Sequence, residues 1–533
     1  RPRQQEEPAL PRMAEDSGDH VGLKIAAKNQ KTVNPFFNLT AHSKQTRLRR
    51  IMLALAGAVL LPLRVVLSLI LIAVAFALAK LATLGLTDAD LDPLSGPPLA
   101  AWRQAVVAPF GVLSRIQMFL LGFWWVTIKG KCASREEAPI IVSNHVSGLV
   151  EGMYFVVHSK LAEKKFVSNP LLGAVMKATC SIFVDRSDPN SRDVALRALL
   201  RRATADGFRQ TVVFPEGCCT NGAAVVQFRV GAFAPGVPVQ PVCFRYPDKD
   251  FDASFTAPLT AGTYLLGLLL RPVARMEVEY LPVYRPSEAE RRDPALFAAA
   301  VQQRIAEALG VPAAQYAAED SVLCNEAMRV GLPFDAGLVS WQALSQQLPG
   351  LRVREAIAAL RRFRSLDVEG RGRVDLEAFA AGVRGAGADA GGFDDELRGV
   401  FRLLDGDQDG FVDFREYLWG VSVLKGRPDQ NDATASLRMM FDGLSCGRSS
   451  MSRERLGLVL SRSVPDPSGH DIEWLCTEAD ADGDGQISRD EFVQFAAKHR
   501  DDLGMTAEKL LLGLPMPERV PVEPCASPRS SSC

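Results

Sequence analysis

Residues 51–79 form an apolar run interrupted by one charge, Arg64, and ended by Lys80. No other feature narrows the fold as much, because so long a run must lie in lipid or be wrapped by other protein. Undivided, it exceeds the roughly 20 residues that cross a bilayer; divided at Pro62 and Arg64, neither half reaches across alone. A kinked span and a re-entrant hairpin both fit. The basic segment SKQTRLRR at 43–50 abuts the run, the arrangement of a cytosol-facing membrane segment, and favours lipid over a buried core helix. A second apolar stretch, 107–128, contains Arg115 and ends in Trp124 and Trp125 before Lys129 and Lys131, a border suited to the headgroup level. A third, TYLLGLLL at 263–270, is too short to cross and reads as an interfacial or core helix.

The rest of the 533 residues is enough for three to four folded units at about 150 residues each. Lys plus Arg number 61 against 62 Asp plus Glu, a net charge of -1, which argues against nucleic acid as a partner. Ten cysteines are scattered without zinc or redox spacing, which points to a reducing compartment. Only Cys218 and Cys219 are adjacent, and they read as packing residues in preference to a thiol nucleophile.

From 139 to 247 the texture alternates. PIIVSN, SIFVDR, TVVFPEG and VPVQPVCFRYP read as strands, and 190–205 has helical spacing. This predicts an α/β domain with its site at the carboxyl ends of strands.

Beyond residue 350 the chain repeats. Asp367, Asp405, Asp442 and Asp480 each open a loop-like segment, at separations of 38, 37 and 38. So constant a period indicates four copies of one supersecondary unit in an all-α module. Two copies carry a complete oxygen set for a hard cation. DGDQDGFVDFRE offers Asp405, Asp407 and Asp409 at positions one, three and five, the Phe411 carbonyl at seven and Glu416 at twelve, with Gly410 for the turn. DADGDGQISRDE repeats this with Asp480, Asp482, Asp484, Gln486 and Glu491 around Gly485. These are EF-hand loops, and calcium is the expected cofactor. The other two lack the chemistry: Arg371 and Ala378 stand at positions five and twelve of the first, Leu444, Cys446 and Arg453 at three, five and twelve of the third. The order is silent, active, silent, active.

In the α/β region, NHVSGLVEG places His145 after a strand with Glu151 nearby, the pair needed to remove a hydroxyl proton. Arg186 ends SIFVDR and suits an anionic phosphate. FPEGCCTNG supplies Glu216 and Gly217 in a tight turn, and Arg229 and VPVQP follow.

This ordered set resembles the glycerolipid acyltransferase family, and with the EF-hands it is similar to the lysophosphatidylcholine acyltransferase branch and its plant lysophosphatidylethanolamine counterpart. The resemblance runs from about 34 to 500. It implies transfer of an acyl group from acyl-CoA, the co-substrate, to a lysophospholipid hydroxyl at a phospholipid membrane. It also implies His145 as general base, oriented by a carboxylate, and Arg186, Glu216 and Gly217 as contacts of the phosphate-bearing acceptor. The implied location is the endoplasmic reticulum membrane, with Golgi or lipid droplet as further addresses and both folded domains cytosolic.

The chain departs from the family's H-x4-D block. Val150 occupies the aspartate position and the nearest carboxylate, Glu151, is one residue later. A slip of one turns a helical side chain by about 100°, so Glu151 serves only if the loop absorbs an insertion, which Gly148 permits. Cys218 likewise replaces the usual threonine. The alternative reading is a calcium-binding membrane protein with a catalytically impaired domain, in which Val150→Asp would restore turnover.

The organisation expected is a disordered tail at 1–42, membrane-anchoring helices at 43–130, the acyltransferase domain at 131–315, a linker at 316–350, the EF-hand domain at 351–500 and a second tail at 501–533.

Overall fold

A computed structural model describes residues 34–38 and 47–499, apart from 88, 165–168, 186–190, 249–250, 349, 385–397, 400, 403, 425–437, 439–440, 442–444, 446–448 and 458–471. Both expected tails, and Arg186, therefore fall wholly or largely outside the described residues. The chain divides into two units. One is 32–373 with 421–423, and the other holds 374–420 and 424–533.

In the larger unit the apolar run is one helix, α1 (Arg47–Ala82), continuous through Pro62. Of the two forms left open, the re-entrant hairpin is not the one folded, since the helix does not break at Pro62 or Arg64. Two shorter helices follow, α2 (Ala101–Val107) and α3 (Phe110–Leu120), so the stretch 107–128 divides between helix and the strand β1 (Val126–Lys129). Among the described residues only α1 is long and apolar enough to cross a membrane, over Gly57–Ala82.

The α/β layer is a seven-stranded sheet in the order β1-β7-β6-β2-β5-β3-β4. Its strands are β1, β2 (Ile140–Ser143), β3 (Ser159–Glu163), β4 (Ile182–Val184), β5 (Thr211–Val213), β6 (Val239–Arg245) and β7 (Met276–Tyr280). β2 lies parallel to both β5 and β6, and β6 pairs antiparallel with β7. Ile140, Ile141 and Val142 are fully buried, as a run apolar on both faces requires in the centre of a parallel sheet. One face of the sheet packs with Phe233, Phe297 and Val301, the other with Phe123, Phe155, Phe244 and Leu268.

Helices α4 (Gly148–Tyr154), α5 (Pro170–Ala178) and α6 (Ser191–Thr204) connect the central strands, and α7 (Ala261–Leu270) is the third apolar patch, now an actual helix. Residues 316–350, expected to be a linker, are ordered instead. They contain helices Ala318–Arg329 and Trp341–Gln347, and the buried carboxylate of Asp320 accepts the Val339 and Trp341 N–H groups, tying the two together.

In the smaller unit each intact loop leads through a three-residue strand, Phe411–Asp413 or Gln486–Ser488, into a helix, Phe414–Leu424 or Arg489–Lys498. Strand Gln486–Ser488 pairs antiparallel with Ser450–Ser452, placing Ile487 against Met451, both buried.

Candidate active site and calcium loops

β2 and β5 end side by side, and the two loops that leave them are laced together. The His145 N–H donates to Glu216 Oε1 at 2.8 Å, and the His145 carbonyl accepts from Thr220 N at 2.8 Å. The imidazole stacks on Phe214, with ring centroids 4.3 Å apart. Its backbone and one ring face are fixed before any substrate arrives.

A carboxylate stands beside the imidazole. Glu151 Oε2 lies 2.7 Å from His145 Nδ1. Ser147 caps α4, and Glu151, in its first turn, folds back so that Oε1 accepts the Val146 and Ser147 N–H groups at 2.9 and 2.8 Å. Tyr246 donates to the same oxygen at 3.3 Å. The extra methylene of glutamate and a helix that starts at Gly148 bring the carboxylate back to the imidazole. Val150 meanwhile is wholly buried with Ile141, Phe155 and Val212 in the apolar layer beneath. The residue at 150 faces the core and the residue at 151 faces the histidine, so the premise of the impaired alternative, a missing carboxylate, does not hold for this loop.

Burial pulls the imidazole pKa down, but the neighbouring Cys219 thiol and the Glu151 carboxylate outweigh it and hold His145 well above its ordinary value. Glu151 engages Nδ1, the Cys219 thiol also hydrogen-bonds the imidazole, and the side chain is 18% exposed. A hydroxyl brought to it could be deprotonated.

Glu216 is fully buried, and burial pushes its pKa up to about 8. What it visibly holds is the His145 backbone. Gly217 has φ +72°, and a Cβ there would stand 2.7 Å from Arg229 Nε, so only glycine allows the turn to close beneath that guanidinium. Arg229 in turn pairs with Glu319 at 2.8 Å. Sequence reasoning missed Tyr246 and Tyr264. Tyr264 on α7 hydrogen-bonds Ser147 Oγ at the α4 cap, and neither tyrosine sits in a motif that announces it.

The calcium loops are built as their spacing demands. Gly410 and Gly485 have φ +84° and +83°. One carboxylate oxygen from each of Asp405, Asp407 and Glu416 lies within 4.8 Å of the others, and the same holds for Asp480, Asp482 and Glu491. Three negative groups at that separation fit a divalent cation. Asp409 and Asp484 accept the backbone N–H groups of Phe411 and Gln486 at 2.9 and 2.6 Å, shaping the turn that aims those two residues' carbonyls. The first loop closes on itself without such a cluster: Asp367 accepts the Arg371 and Gly372 N–H groups, and Arg371 pairs with Glu369. In the third, Arg453 reaches the active neighbour, its Nε 2.5 Å from Asp480 Oδ2.

Comparison with known proteins agrees with both halves. Residues 126–245 match the acyltransferase family, and 397–418 and 477–496 match the EF hand. Human lysophosphatidylcholine acyltransferase 2 is 34% identical over 477 residues, covering 87% of this chain and 83% of its own. The Drosophila melanogaster lysophosphatidylcholine acyltransferase is 31% identical, covering 89% and 87%. The solved structure of the 1-acyl-sn-glycerophosphate acyltransferase PlsC from Thermotoga maritima aligns at 15% identity over 46% of this chain and 96% of its own, with a TM-score of 0.29. With EF-hands that indicate calcium binding, this acyltransferase belongs to the lysophosphatidylcholine acyltransferase family.

Proposed function

We propose that the protein transfers an acyl group from acyl-CoA to the free hydroxyl of a membrane lysophospholipid, lysophosphatidylcholine first among them. The observation that carries this is the 2.7 Å contact between His145 Nδ1 and Glu151 at the carboxyl end of β2, in a chain of this family. His145 Nε2 takes the hydroxyl proton as the oxygen attacks the thioester carbonyl. The tetrahedral intermediate collapses, the C–S bond breaks, and the imidazolium returns the proton to the CoA sulfur. Glu151 fixes the tautomer and stabilises the imidazolium.

Arg186, which lies outside the described residues, is assigned the acceptor phosphate on charge grounds. Gly217 lets the turn beside the acceptor close beneath Arg229, and Glu216 holds the His145 loop. Calcium would be held by Asp405, Asp407, Asp409, the Phe411 carbonyl and Glu416, and by Asp480, Asp482, Asp484, the Gln486 carbonyl and Glu491. The location that suits these substrates is the endoplasmic reticulum membrane, with the catalytic and EF-hand domains in the cytosol.

The test is an assay of membranes carrying the full chain with oleoyl-CoA and lysophosphatidylcholine, wild type against His145→Ala. Phosphatidylcholine formation that vanishes in the variant is expected. Equal rates in both would remove the assigned base.

A further inference from the structure

Away from the catalytic loops, positive charge gathers where no carboxylate answers it. Arg202 lies in the last turn of α6, and Arg209 follows in the chain that leads to β5. Arg202 is 4% exposed, and its Nη1 donates to Ser159 Oγ at 2.7 Å and to the Cys180 carbonyl. Arg209 donates from Nη1 to the Val157 carbonyl at 2.8 Å and from Nη2 to the Gln104 carbonyl on α2 at 3.2 Å. Both guanidinium groups are thus fixed by neutral oxygens, and among the described residues neither is paired with a carboxylate. The neighbouring Arg201 differs, since the Asp92 carboxylate lies near it.

Two residues of the β3 approach add to the same field. Burial, with the charges of Lys160 and Arg209, pushes the His158 imidazole down to about 4, and burial brings the Lys160 ammonium down to about 8. At neutral pH His158 is therefore uncharged while Lys160 keeps most of its charge.

The two arginines line one cleft together with Ser159, Cys180, Leu99 and Phe208, and Gly207 at its edge is exposed. Arg202 Nε, shut away from solvent, has no acceptor among the described residues. A buried donor on a cation is costly to leave unmade, so the cleft lacks both an acceptor atom and a negative charge. It is not the acceptor site. Ser159, which opens β3, pairs with Thr211, which opens β5, and Thr211 pairs with Ile140, which opens β2. The cleft therefore lies at the amino ends of these parallel strands. His145 follows the other end of β2, and the four residues of that strand alone set the two ends roughly 10 Å apart.

We propose that this cleft binds a phosphate monoester, with Arg202 Nε as its innermost donor and Arg209 as the second cation. A dianion matches two fixed guanidinium groups with an ammonium nearby, and guanidinium geometry suits phosphate oxygens. Leu99 and Phe208 offer apolar cover to whatever the phosphate carries. Two sources present that chemistry, a soluble nucleotide and the headgroup of phosphatidic acid. Either one would tie α2, α6 and the start of β3 together, so occupancy stabilises the fold.

The test uses the purified full chain in detergent micelles at one ionic strength, titrated with adenosine 3′-monophosphate, with dioctanoyl phosphatidic acid and with uncharged adenosine. Calorimetry and thermal melting are the readouts, and neither depends on acyl transfer. A melting temperature that climbs with a phosphate ester and not with adenosine is expected. Response to the nucleotide alone names the soluble source, and response to phosphatidic acid alone names the lipid. Response to neither overturns the proposal and leaves the acyltransferase reading intact. Arg202→Gln also removes the hold on Ser159 and Cys180, so the deciding variant is Leu99→Glu, which sets a carboxylate at the cleft and leaves the hydrogen bonds of both arginines in place. It should weaken phosphate binding by about tenfold or more with the transfer rate unchanged. Unaltered affinity in Leu99→Glu would put the phosphate elsewhere and overturn the assignment.

Discussion

The side chains of Glu151 and Glu416 do the same thing for the backbone before them and opposite things with their charges. Each stands in the first turn of a helix and folds back so that one oxygen accepts two N–H groups of the preceding loop, Val146 and Ser147 in one case, Gly406 and Asp407 in the other. The second oxygen of Glu151 meets an imidazole. Glu416 instead faces Asp405 and Asp407, and burial, with Asp413 and Asp407 close by, pushes its pKa up to about 7. The Glu151 charge therefore has its partner as folded, whereas the 405–416 loop holds repulsion that a cation relieves. A glutamate near a helix start is a common local device; its neighbours decide whether it steers a proton or waits for a metal.

The strongest test of the completed loop is His145→Ala, expected to lower the transfer rate by about a thousandfold or more, measured under saturating acyl-CoA. Val150→Asp comes next. It would place a carboxylate in the apolar layer and cost about 3 kcal/mol, so a lower melting temperature is expected, and a gain in turnover would reverse the assignment of Glu151. Glu151→Gln should cost roughly a hundredfold through loss of the tautomer and of the imidazolium's partner. Wild-type activity should also fall as pH drops through a His145 value above 6.5, because the base must be neutral. Removing Glu151 should move that acid limb to lower pH, a displacement that a merely structural role would not produce.

The incomplete loop gives smaller effects. With the 480–491 loop disabled, calcium affinity of the 405–416 loop should weaken by up to about tenfold per unit as pH falls below 7, since a proton must leave Glu416 before the ion binds. The 480–491 loop, whose Glu491 is held below its ordinary value, should not show this dependence. Smallest is Arg453→Ala. Removing the guanidinium that pairs with Asp480 should tighten calcium at that loop roughly two- to fivefold, read by calorimetry; unchanged affinity would mean that the pair yields without cost.

Much of this was legible in the residues. The two acidic clusters, Asp405 with Asp407 and Glu416 and Asp480 with Asp482 and Glu491, follow from spacing alone, because twelve contiguous residues supply each loop and the glycine turn is local; Leu444 and Cys446 of the third loop lie outside the described residues. The order of His145, Arg186 and the Glu216–Gly217 turn likewise marks an acyltransferase. Three matters were not legible. Whether Val150 or Glu151 faces the histidine depends on where α4 begins, and the 316–350 segment owes its order to Asp320, which a composition scan reads as one more acidic residue. Arg64 reads as an interruption in a span, yet its partners are carbonyls some 205 residues away.

Local order along the chain supplies the chemistry on offer: a histidine, a nearby carboxylate, two EF-hand loops and one long apolar helix. What folding added is which carboxylate meets His145, which arginine reaches Asp480, and which face of the apolar helix is left exposed. The physical reason is range. Ligand spacing and helix periodicity are written within one or two turns of chain, while burial and partner choice are set by elements that meet only after the sheet has formed.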